Sequence, residues 1–175
     1  TMCRQAAERL RKRPLPNYGN KEAAALRIIS GLSKGTTDRD VLLKGGARGF
    51  STFYGYYMLE GLAREGRFEE AVDIIKKYWG GMLNLGATTF WEDFDYDDLA
   101  RASRIDSIVP AGKFDIHADR GTNCYKGLRM SLCHGWASGV TAWLSRYVLG
   151  IMPTEAGFRA VTIEPHLAGC NEVLG

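Results

Sequence analysis

Residues 50–83 read FSTFYGYYMLEGLAREGRFEEAVDIIKKYWGGML, two apolar-periodic stretches with almost nothing between them. In the first, over residues 50–64, Phe50, Phe53, Tyr54, Tyr57, Met58 and Leu62 recur at steps of three and four. That spacing collects them on one face of an α-helix. In the second, Phe68, Val72, Ile75 and Trp79 do the same. Gly66 suits the left-handed residue that ends a helix, and Glu69 and Glu70 suit the positive end of the next. Two amphipathic helices joined by so short a turn must lie antiparallel and share a core. The pair Gly80-Gly81 is expected to end the second helix.

The rest of the chain is read around this hairpin. The first thirteen residues look like the tail of a helix, with Arg9, Arg11, Lys12 and Arg13 at its negative end. PLPNYGN (residues 14–20) breaks it. KEAAALRIISGL is a second helix whose apolar residues Ala24, Leu26, Ile28, Ile29 and Leu32 cover more than one face, which predicts deep burial. GLSKGTTDRD reads as a loop or short turn, and residues 86–131 as a long irregular stretch of the kind that carries function. A last helix is expected over residues 134–149. FRAVTIEPH then alternates like a strand, with Val161 and Ile163 against Thr162 and Glu164.

Composition excludes several classes. Apolar residues at 45% and charged residues at 25% describe a folded chain rather than a disordered one. The net charge of +3 gathers mainly in RLRKR (residues 9–13), without the aromatic-interleaved basic stripe of a nucleic-acid binder. No apolar run reaches the roughly 20 residues of a membrane helix, and the N-terminus has no signal-peptide core. Thr1 stands before Met2 and helical periodicity begins at once, so the chain is expected to be cut from a longer one. Cys3, Cys124, Cys133 and Cys170 form no CxxC pair, and Cys124, Cys133, His134 and His117 lack a zinc-ligand rhythm. No metal and no cofactor are expected.

The chemistry candidates lie in the irregular stretch and beside it. GATTFWED (residues 86–93) runs an apolar segment into Trp91 and Glu92. Aromatic rings beside a carboxylate exclude water, which suits proton transfer, and ring faces suit sugars. The same letters fit a helix start, with Thr88 or Thr89 as cap and Glu92 at capping-box spacing. DFDYDD (residues 93–98) fails as a calcium loop, since Asp98 stands where glycine is needed and Arg104 where glutamate is needed. A solvated acidic edge is expected there instead. In SLCHGWASG (residues 131–139), His134 and Trp136 open a helix among small residues, an arrangement with room for a ligand. Arg48, bracketed by glycines in GGARGF, is a candidate to bind a carboxylate or hydroxyl, but GGARG lacks the ending of a phosphate loop. No GxSxG is present. His117 and His166 have no partner legible in the sequence.

GGMLNLGATTFWEDFD, SLCHGWASGVTAWLSRYVLGI and FRAVTIEPHL, in that order, resemble the C-terminal part of bacterial α-L-rhamnosidases of glycoside hydrolase family 78. The resemblance runs from about Gly45 to Leu167. It implies a mainly α fold, part of an (α/α)6 barrel over residues 1–152, followed by the start of a C-terminal β-sandwich over residues 153–175. It implies hydrolysis of terminal α-L-rhamnosyl bonds with inversion, which needs a general acid and a general base roughly 6.5–9.5 Å apart. The base maps onto Glu92 and a sugar-holding histidine onto His134. Trp91, with Phe90, becomes pocket wall and Asp95 a supporting residue; Trp136 and Arg48 stay substrate-binding candidates on the reading of the residues above. The family's general acid lies upstream of the segments present here, so the isolated chain is expected to be inactive and to expose barrel faces. The implied partners are a rhamnose-containing carbohydrate and the remainder of the parent enzyme, with no nucleic acid and no membrane; the implied parent is bacterial, periplasmic or secreted. Two alternatives stay open: a non-catalytic sugar-binding helical module, and another (α/α)-barrel carbohydrate enzyme.

Overall fold

The computed structural model describes residues 2–13, 15–119 and 130–175. The chain is mainly α, with one two-stranded antiparallel sheet among the described residues. The helices are α1 (Met2–Arg11), α2 (Lys21–Ile29), α3 (Thr37–Leu43), α4 (Gly55–Arg64), α5 (Phe68–Asn84) and α6 (Gly139–Trp143), the last continued by a π turn, Leu144–Val148. None of these described helices is long and apolar enough to cross a membrane.

The α4–α5 hairpin forms as its periodicity predicts, and Gly66 takes φ +68° at the turn. Met58, Leu59, Leu62, Tyr78, Trp79 and Met82 make the centre of the core. Two boundaries differ from expectation. α4 begins at Gly55 rather than at residue 50. α5 runs through Gly80-Gly81 to Asn84. Gly81 is a packing residue, because a Cβ there would stand 3.3 Å from the Phe94 ring.

α2 packs chiefly on α4. Small residues allow the approach: a Cβ on Gly61 would lie 3.4 Å from the Ala25 Cα and 3.1 Å from Leu42. Asn20 caps α2, its side chain accepting from the Ala23 amide at 2.7 Å. The expected deep burial of α2 is met on one face only: Ala24, Ala25 and Ile28 are buried, but Leu26 is exposed. The segment read as a loop at residues 31–40 contains most of a helix, α3. Asp38 and Asp40 in its first turn favour it through the helix dipole. Asp38 is buried; it accepts from the Asn17 side-chain amide at 2.6 Å, and its two carboxylate oxygens share the Arg27 Nε–H at 3.0–3.1 Å. Burial pushes its carboxyl up, but these donors and the Arg27 charge hold it below the ordinary range.

After α6 the chain forms a hairpin, β1 (Ile151–Pro153) paired antiparallel with β2 (Val161–Ile163). β2 falls inside the expected strand, and β1 spans the expected boundary at residue 152. Gly150 turns the chain at φ +70°, where any Cβ would meet the Glu164 carbonyl at 2.0 Å. His166 then anchors the hairpin to the helical body. Its amide donates to the Val148 carbonyl at 3.1 Å, and its ring stacks on Phe68 at 3.9 Å. That is the partner not legible in the sequence.

Candidate active site

The residues 87–95 contain no helix, so the capping-box reading of Thr88, Thr89 and Glu92 is corrected. The segment instead runs antiparallel to residues 131–134. The Glu92 amide donates to the Ser131 carbonyl at 2.9 Å, and the His134 amide donates to the Phe90 carbonyl at 2.7 Å. The Thr89 hydroxyl donates to the Leu132 carbonyl. Two segments about forty residues apart are thus joined by main-chain bonds, and the joint fixes the site.

Glu92 is 7% exposed. One carboxylate oxygen, Oε2, accepts from the Ser131 amide at 2.8 Å. The other, Oε1, faces the His134 Nε2 at 4.0 Å. Its main-chain carbonyl is held twice, by the Thr52 hydroxyl at 2.5 Å and by the Trp136 indole nitrogen at 2.8 Å. The His134 ring lies stacked on Trp136, with centroids 4.2 Å apart. Its Nδ1 is buried with no hydrogen-bond partner, which leaves Nε2 as the nitrogen turned toward the carboxylate.

The structure therefore brings Glu92, His134 and Trp136 together. The other expected residues take different places. Trp91 is completely buried and lies edge-on to Phe94 at 6.0 Å. It backs the site from within the core and offers no face to a ligand, which corrects its assignment as pocket wall. Asp95 caps the 3-10 turn Tyr96–Ala100 through the Asp97 amide at 3.0 Å. Arg48 pairs with Asp97 at 2.6 Å on the exposed surface, so its guanidinium already holds a carboxylate of this chain. The acidic stretch is only partly a solvated edge, because Asp93 and Asp98 are buried. Tyr78 donates to the Phe94 carbonyl at 2.6 Å behind this stretch. Burial, with Asp93 and Asp95 nearby, pushes its hydroxyl well above the ordinary value and keeps it a donor. Cys124 lies outside the described residues; among the described residues no three His, Cys, Asp or Glu side chains converge as a metal ion would require.

Three contributors had no clear sequence signal. Thr52 acts through one hydroxyl, and Ser131 through its main chain. Gly139 lets α6 approach α4, since a Cβ there would stand 2.9 Å from the Tyr56 Cβ. Trp79 secures the same junction by donating to the Ala137 carbonyl at 3.1 Å. No family model matches the chain, and no curated protein matches it.

Proposed function

We propose that this chain belongs to an inverting α-L-rhamnosidase and that Glu92 is its general base. The carrying observation is the Glu92 carboxylate: buried, fixed at Oε2 by a main-chain amide, and facing His134 with Oε1. The 4.0 Å between Oε1 and Nε2 is a gap that one water spans with two ordinary hydrogen bonds. A water held there gives a proton to Oε1 as its oxygen bonds to the anomeric carbon. The glycosidic bond breaks on the opposite face, and the leaving oxygen takes a proton from a general acid supplied by the rest of the enzyme. His134 steadies the water and the sugar, and the partly exposed Trp136 offers a ring face to the sugar's apolar side.

The test is Glu92→Gln in the full-length protein that carries this chain, assayed on an aryl α-L-rhamnoside. Turnover is expected to fall about 10²–10⁴-fold, the usual share of a general base, while L-rhamnose still binds. Near-normal turnover would sink the assignment. The same exposed Trp136 beside His134 also suits a binding module without hydrolysis. Rhamnose binding with no cleavage by the intact wild-type protein would favour that second reading.

A further inference from the structure

Trp136 is the first of a connected series of rings at the surface. Phe53 lies 5.6 Å from it, and Tyr54 and Tyr57 lie 5.1 and 5.8 Å from Phe53. Phe53 and Tyr54 are each 40% exposed and Trp136 is 44% exposed, although the residues beside them, Thr52 and Gly55, are buried. These rings are held rather than loose. The Thr52 hydroxyl and the Trp136 indole both end on the Glu92 carbonyl, so the two segments carrying the rings share one anchor with the proposed base. Aromatic rings kept at the surface by buried polar anchors are organised for contact with a flat apolar face.

We propose that Phe53 and Tyr54 form a second subsite, which takes the ring attached to the sugar being cleaved. The inference rests on the Glu92 reading above. Trp136 and His134 serve the cleaved sugar, and the ring beyond it rests on Phe53 and Tyr54. Tyr54 carries a hydroxyl on its half-exposed ring, which suits a ligand whose rim carries hydroxyls. A pyranose and a phenolic aglycone share that chemistry, a flat face with a polar edge.

The test is calorimetric titration of the full-length protein that carries this chain, with Glu92→Gln to stop cleavage, against methyl α-L-rhamnoside, a rhamnosyl-glucose disaccharide and phenyl α-L-rhamnoside. The two-ring ligands are expected to bind about tenfold tighter than the methyl glycoside, the effect of roughly one aromatic stacking contact. The better of the two identifies the sugar or the aromatic ring as the natural occupant. Phe53→Leu and Tyr54→Leu keep apolar volume at half-exposed positions and are expected to abolish the gain without weakening the methyl glycoside. A gain that survives both substitutions, no gain at all, or no binding by any two-ring ligand at millimolar concentration overturns the subsite. A Phe53-dependent gain seen with glucosides or xylosides instead of rhamnosides keeps the subsite and overturns the rhamnose assignment.

Discussion

The Glu92 carbonyl accepts two hydrogen bonds, one buried and one partly buried, and their removal one at a time or together gives different costs. Thr52→Val deletes the 2.5 Å hydroxyl bond with little change in shape. The carbonyl keeps its bond from Trp136, so the loss is that of one ordinary hydrogen bond, about 1 kcal/mol. Trp136→Phe deletes the 2.8 Å indole bond and leaves the Thr52 bond, again at about 1 kcal/mol, plus a change in stacking on His134. The double variant leaves the carbonyl of a residue only 7% exposed without either donor. An orphaned buried acceptor adds its desolvation cost of about 1–3 kcal/mol. The expected coupling is therefore about 1–2 kcal/mol of destabilisation beyond the sum of the single changes. Urea unfolding followed by far-UV circular dichroism measures it without relying on the tryptophan that is removed. Thr52→Ser, which keeps the hydroxyl, is expected to restore most of the Thr52→Val loss. Additivity to within about 0.5 kcal/mol would refute the reasoning, because it would mean that water replaces the missing donors.

Two further perturbations test the frame around the site. Lys21 is buried over the Phe50 ring with its Nζ 2.6 Å from the Gly46 carbonyl, and burial, opposed by Glu22, pulls its pKa from 10.5 down to about 8. Between those two values the unfolded chain holds the extra proton, so stability is expected to rise with pH across that window, and Lys21→Met is expected to flatten the rise in urea midpoints. Gly139→Ala gains up to about 1 kcal/mol of helix propensity but drives a Cβ against the near end of Tyr56, which cannot swing away. Overpacking at about 1–3 kcal/mol wins, and a melting temperature lower by a few degrees is expected; an unchanged or higher value would contradict it.

How much was legible follows from what each element displays. The α4–α5 hairpin announces itself because long helices repeat their apolar residues often enough to be recognised. α3 has seven residues, and Val41-Leu42-Leu43 is too short a run to show a period. Gly81 reads as a stop because glycine usually is one; its actual use, room for the Phe94 ring, depends on a residue thirteen positions later. Leu26 and Ile29 suggested deep burial because apolarity says what prefers to be covered, not what arrives to cover it. Within the site, Glu92 and His134 each stand where the sequence changes between loop and helix pattern, which suggests a pairing without giving a contact. Their spacing carries no signal, since the bonds that join their segments are main-chain bonds available to nearly any residue.

A catalytic glutamate oriented by side chains would need particular partners at particular positions. Glu92 is oriented mostly by the path of the backbone: the Ser131 amide holds Oε2, and the Ser131 and Phe90 carbonyls set the register of the two segments. The side chain at residue 131 contributes a different bond, from its hydroxyl to the Cys133 carbonyl at 3.0 Å. The orientation of Glu92 therefore depends on the fold that brings residues 90–92 against 131–134, and that meeting depends on Gly139 beside Tyr56 and Trp79 beneath Ala137. Packing residues that do not touch the carboxylate through any hydrogen bond thus support its aim, while its sequence neighbours Trp91 and Asp93 are buried.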